Sequence, residues 1–169
     1  MNAFPYALIG VTPAAADLSE KMGLFGQFVG EWDFDWSDGE RQLPGEWIFS
    51  WVLEGTAVQD VFICPSRRER FVNPQPDAEY GTTVRFYNPA KDAWDICHGG
   101  SGFMHILEAR QVGDLIIVEN KTGAGDGGLN RWVFSEITGN SFRWQNRTSG
   151  DGGATWEVHC ELFARRRDR

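Results

Sequence analysis

From Glu31 onward, apolar and polar residues alternate. In the run 31–36, Trp32, Phe34 and Trp36 share one side while Glu31, Asp33 and Asp35 share the other. That is the period of a strand with one buried face. In 45–55, Trp47, Phe49, Trp51 and Leu53 fall together in the same way. Runs of this kind recur at 57–64, 82–88, 93–98, 103–112, 114–121, 130–137, 141–148 and 155–166. Turn chemistry separates many of them: Ser37-Asp38-Gly39, Asn88-Pro89, Gly113-Asp114 and Gly139-Asn140.

Ahead of the strands lies the one stretch with helical period. Leu18, Met22, Phe25 and Val29 form an apolar stripe over 18–29, with Asp17 or Ser19 placed to cap it. Residues 1–16 hold Pro5, Pro13 and an alanine run and read as an arm, leaving 17–169 as the domain. One helix followed by about ten strands predicts an all-β protein: a single antiparallel up-and-down β-barrel with the short N-terminal helix closing one end. Closure removes the sheet edges, and a barrel wider than eight strands leaves room for an internal cavity. The connection 65–80 is proline-rich and charged, and reads either as a lid or rim of that cavity or as solvated loop.

The stretch Gly30-Glu31-Trp32, at the end of a short helix, resembles the signature of the calycin group of lipocalins, fatty-acid-binding proteins and nitrobindin-like barrels. The resemblance implies that Trp32 closes the barrel floor and that a basic residue near the last strand, Arg165 or Arg166, packs over it. The runs 28–36, 45–62, 80–95, 131–156 and 161–167 are similar to a bacterial family of uncharacterised lipocalin-like domains. That likeness implies a fold and leaves the activity open, because calycins range from carriers to enzymes.

Charge and composition narrow the function. A net charge of −8 disfavours a nucleic-acid partner, and the basic end 164–169 reads as a solvated tail. No run approaches the roughly 18 apolar residues of a membrane helix, and the first residues lack the basic start of a secretory signal. The three cysteines, none in a Cys-x-x-Cys spacing, suit reduced thiols, so a cytoplasmic protein, monomer or homodimer, is expected. Aromatic residues make up 14% of the chain and include eight tryptophans, which line either a broad core or a pocket for a flat apolar molecule.

Two motifs imitate sites. Ser149 to Trp156 matches the Asp-box of propeller glycosidases, but a single copy with no repeat reads as a hairpin device: Asp151 bonding turn amides, Gly152 and Gly153 at positive φ, Trp156 covering the turn. Gly123 to Gly128 matches Gly-x-Gly-x-x-Gly, yet a strand follows rather than the helix a dinucleotide needs, so a hairpin is expected.

The candidate site combines aromatic and titratable residues. Trp36, Trp47, Trp51 and Trp144 are expected to line the cavity, with Arg85 and Arg131, set in apolar strands, as forks for a ligand's acidic end. No metal site or cofactor is expected; haem held by His159 is the alternative that the nitrobindin resemblance implies. His98 and His105 can meet across a hairpin turned by Gly99, Gly100 and Gly102. Two functions stay open: binding of a small hydrophobic or aromatic metabolite, or a cofactor-independent cyclase, isomerase or lyase on the same barrel. The second would use His98, His105 or His159 with Asp60 or Glu157 for acid–base chemistry.

Overall fold

A computed structural model describes residues 19–120 and 128–167, so the expected arm and most of the glycine run 123–128 lie outside the described residues. Ten strands form one closed antiparallel barrel: β1 (Gly30–Ser37), β2 (Gln42–Val52), β3 (Ala57–Cys64), β4 (Glu79–Asn88), β5 (Ala93–Gly100), β6 (Phe103–Val112), β7 (Leu115–Asn120), β8 (Leu129–Ser135), β9 (Ser141–Ser149) and β10 (Glu157–Arg166). Each strand pairs with its neighbours in sequence, and β1 closes the ring on β10 through Trp32 opposite Arg166 to Ser37 opposite Glu161. The alternation in the sequence becomes the two faces of the wall. Trp32 stands opposite Trp47, Trp47 opposite Phe62, and Phe134 opposite Trp144, all on the inner face.

One end is sealed. Helix α1 (Ser19–Gly26) lies across it and drives Met22 and Phe25 into the core. The third inward residue is Phe28 rather than the expected Val29. After Gly26 the chain tightens into i→i+3 bonds, Phe28 N–H to Phe25 O and Val29 N–H to Gly26 O, which advances the phase and turns Phe28 inward. Its ring meets Phe142 at 4.8 Å, and Trp32 meets the same ring at 4.8 Å. Trp32 donates from Nε1 to Phe28 O at 2.7 Å, and the Arg166 guanidinium lies 4.1 Å from its ring centroid. Arg166 also donates to the carbonyls of Val29 and Gln27, so it caps the turn and covers the indole together. Of the two arginines the resemblance offered, Arg166 takes the role, while Arg165 pairs outside with Asp35.

Below the helix sits a buried ion pair. Arg85 is 1% exposed and meets Asp60, also 1% exposed, at 2.5 Å. The guanidinium is held between the Phe25 and Phe49 rings, at 4.9 and 5.3 Å. Such a charge is tolerated in a core only because its counter-ion is beside it.

The β9–β10 connection is the Asp-box, and it is a turn. Asp151 accepts from Ser149 Oγ, Thr155 N–H and Thr155 Oγ1, while Gly153 N–H donates to Ser149 Oγ. Gly152 and Gly153 have φ of 74° and 95°, and Trp156 donates from Nε1 to Gly153 O. β7 and β8 pair antiparallel, as a hairpin requires.

Candidate functional site

The end of the barrel opposite the helix holds a cavity of about 220 Å³. Its walls are aromatic: Trp36 from β1, Trp47 from β2, Phe62 from β3, Trp132 from β8 and Trp144 from β9. The rings meet edge to face, with Trp47 to Trp144 at 6.4 Å and His98 to Trp132 at 5.0 Å. Nε1 of Trp47 and Nε1 of Trp144 are buried and have no hydrogen-bond partner among the described residues. A buried N–H without an acceptor is costly, and both of these nitrogens lie beneath the cavity surface rather than open to it.

A polar ladder climbs one side of the cavity. His98 on β5 stands opposite Thr83 on β4, and its Nδ1 lies 3.0 Å from Thr83 Oγ1. Its Nε2 lies 3.2 Å from Glu79 Oε1. Gly81 lies between Glu79 and Thr83 on the inner face of β4, and a Cβ there would stand 2.8 Å from Glu79 Oε1. The missing side chain is what lets the carboxylate fold along the wall to reach His98. Glu79 keeps contact with solvent, its side chain being 31% exposed, whereas His98 is buried.

The connection after β3 forms the rim. Pro65, Gln75, Asp77 and Ala78 line the mouth, while Phe71 and Val72 at the loop's outer turn are exposed. Arg41 clamps the loop to the β1–β2 hairpin: it donates to both Asp77 oxygens, to Gln75 Oε1 and to Asp38, with its guanidinium 5.3 Å from the Trp36 ring. The Arg41 bonds hold the Asp77 carboxyl below its ordinary range, and the Arg41 amide and guanidinium bring Asp38 down to about 2. Cys64 and Cys160 also line the cavity. Burial pushes the Cys64 thiol up to about 12, with the nearby Glu79 and Asp77 charges adding to it, and burial pushes Cys160 up to about 11. These are inert, protonated thiols at neutral pH.

The expected site residues divide between the two ends and the outside. Trp36, Trp47 and Trp144 line the cavity as expected. Trp51 faces inward at the sealed end, packed so closely on α1 that a Cβ on Gly26 would come within 2.4 Å of its ring. Arg85 is inside but committed to Asp60 beneath the helix, and neither lines the cavity. Arg131 is on the outer face: it pairs in register with Arg147 and Glu119, and Trp156 stacks on it at 3.7 Å, because the adjacent Trp132 takes the inward position. Burial lowers the Arg131 pKa, and Arg147 opposite lowers it further. His98 and His105 do face each other across β5–β6, their rings 6.3 Å apart and nearly parallel, but His105 is exposed and outside the cavity lining. Glu157 is exposed at the start of β10, opposite Thr148. His159 falls where the β9–β10 register shifts between Val158 and Cys160, which leaves it exposed at the mouth. The acid beside His98 is thus Glu79, a residue the strand pattern from 82 onward did not include.

His159, the haem ligand of the alternative reading, stands exposed at the rim of the cavity. No group of three or more metal-ligating side chains occurs among the described residues, and no described helix is long and apolar enough to cross a membrane.

Fold and cavity together define the class: a calycin-like closed barrel with its helix at one end and an aromatic pocket at the other. No protein-family model matches the chain, and no curated protein matches it by sequence. Among solved structures it is similar to an S-type phycobiliprotein lyase from Guillardia theta, with a TM-score of 0.55 and 8% identity, over 86% of this chain and 92% of that one. At that identity the likeness is one of fold.

Proposed function

We propose that the protein binds a small, flat, mostly apolar molecule carrying a neutral hydrogen-bond acceptor, in the aromatic cavity opposite the helix. The observation that carries this reading is the aromatic lining of one cavity by Trp36, Trp47, Phe62, Trp132 and Trp144, with the partnerless indole N–H groups of Trp47 and Trp144 lying just beneath it, where a small shift of the rings would open them to an acceptor. A neutral carbonyl suits them better than an acid. The arginine inside the barrel is already neutralised by Asp60, Arg131 lies outside, and the mouth carries Asp77 and Glu79. A carrier role agrees with the lipocalin-like resemblance, including the bacterial family to which the chain's strand sequences are similar. One chain closes the barrel, so the site is complete in a monomer, and neither nucleic acid nor a membrane is needed to form it. Buried thiols suit the cytoplasm.

The test is a matched pair of ligands followed by quenching of tryptophan fluorescence. 2-Acetylnaphthalene should bind with a dissociation constant around micromolar, about 8 kcal/mol from apolar burial plus the acceptor bond. 2-Ethylnaphthalene, which lacks the carbonyl, should bind roughly three- to tenfold more weakly, the value of one or two net hydrogen bonds. Failure of both to give saturable quenching would sink the binding reading; equal affinities would remove the acceptor from it.

A further inference from the structure

The large apolar side chains that stand farthest out of the fold are all at the open end of the barrel. Phe71 is 84% exposed, Val72 78% and Met104 68%, the three highest values among the described residues. Met104 lies beside the β5–β6 hairpin, at the start of β6. Phe71 and Val72 form the tip of the rim loop. The single turn Glu69–Phe71 is closed by its backbone alone, with Val72 N–H and Asn73 N–H both donating to Glu69 O. Nothing in that turn requires a phenyl or isopropyl group, and leaving both in water costs the fold the burial they could otherwise have.

Arg70 accompanies them. Its guanidinium lies 5.8 Å from the Phe71 ring centroid and 4.9 Å from that of Tyr80, which is itself exposed. Other charges on the loop are committed: Arg67 is bonded to Glu46, Asp77 to Arg41, and Arg68 shares an outer groove with Asp33 and Asp35. Glu69, the acid within the turn, is half-buried. Among the described residues no carboxylate is in ion-pair contact with Arg70. An apolar tip with an arginine lying along its rings is the pattern of a segment at a membrane surface, where the rings enter the acyl boundary and the cation stays at the level of the phosphates.

We propose that the rim loop docks the protein on a phospholipid bilayer, with Phe71 and Val72 entering the boundary between headgroups and acyl chains and Arg70 binding a lipid phosphate. Area separates a bilayer from a protein partner. A phenylalanine and a valine together offer at most a few hundred Å², well short of the roughly 800 Å² a side of a stable protein interface, whereas a bilayer requires no complementary shape. Charge selects the lipid. A net charge of −8 opposes an anionic surface, so the phosphate of a zwitterionic lipid is the partner for Arg70. The contact is peripheral and reversible, weaker than the anchoring of a single acyl chain. It goes beyond the binding reading and does not depend on it, and it sets the cavity mouth against the phase in which an apolar molecule dissolves.

The experiment sediments the whole chain, without ligand, with phosphatidylcholine vesicles. Wild-type protein is expected to partition onto them at roughly millimolar lipid. Phe71→Ser with Val72→Ser should weaken partitioning by about tenfold or more, the value of withdrawing a large apolar side chain from water, and Arg70→Gln by a fewfold. Both sets of substitutions lie on the exposed tip, so circular dichroism and the urea midpoint should be unchanged. Val112→Ser, an exposed apolar position at the helix end, should partition like wild type. Wild-type protein that stays in the supernatant overturns the proposal, as does a double variant that pellets as well as wild type. A lipid-free wild-type dimer that the double substitution converts to monomer would assign the tip to a second copy of the chain and overturn it as well. None of these outcomes bears on ligand quenching in the cavity, which tests the binding reading by itself.

Discussion

Trp32 joins floor and wall: it is fully buried, bonded to Phe28 O and covered by Arg166. Trp32→Ala opens a void that the surrounding Phe28 and Phe142 rings cannot fill, and should cost about 3–5 kcal/mol in urea unfolding; an unchanged midpoint would place the indole elsewhere. The Arg85–Asp60 pair makes a sharper prediction. Arg85→Met alone strands a buried carboxylate and should cost about 3–5 kcal/mol, whereas Arg85→Met with Asp60→Leu should recover much of that loss. If the double variant is no more stable than the single one, the pair is doing more than balancing charge. Cys64 and Cys160, pushed up to about 12 and 11, should resist iodoacetamide at pH 7.5 and react only on unfolding; rapid modification of the folded protein would contradict their burial.

Among the elements, the two hairpins at the open end do different work. The β9–β10 turn is held by the Asp151 carboxylate, whose bonds from Thr155 and Ser149 depress its pKa. A depressed carboxylate stabilises the fold above its unfolded value of 3.8 and loses that contribution as pH falls through the lower folded value. Asp151→Ala should therefore lower the thermal midpoint at neutral pH and make no difference under strongly acid conditions, while ketone binding is unchanged; lost binding with intact stability would make the turn part of a site. The β1–β2 hairpin instead carries Arg41, the clamp on the rim. Arg41→Ala should speed amide hydrogen exchange across 65–78 and leave the strands protected.

The element scale is also where the sequence was most legible. All ten strands follow from two-residue alternation, because each presents one face to the core and one to water. Met22 and Phe25 of the helix face inward as expected, and only Val29 gives way to Phe28, since the tightened turn after Gly26 is invisible to a 3.6-residue period. The site was legible where alternation alone decides: Trp36, Trp47 and Trp144. It was not where register decides. Arg131 and Trp132 are adjacent, and only strand pairing tells which faces in; a bulge displaces His159; and the Glu79–His98 contact depends on an absent side chain at Gly81.

For the whole molecule, the barrel divides its labour between its ends. The helix end is filled by Met22, Phe25, Phe28, Trp32 and the ion pair, while the far end keeps a cavity under a clamped loop. Substitutions at one end should therefore leave the packing of the other intact. The central claim, that Trp47 and Trp144 supply the cavity's hydrogen-bond donors, is tested most directly by their own protons. Eight tryptophans give eight indole N–H signals in a nitrogen–proton correlation spectrum, assigned through Trp→Phe variants. On titration with 2-acetylnaphthalene, the account predicts downfield shifts of the Trp47 and Trp144 signals, reflecting new hydrogen bonds, while the Trp32 signal, already bonded to Phe28 O, stays in place. Saturable binding that leaves the Trp47 and Trp144 signals unmoved would contradict it.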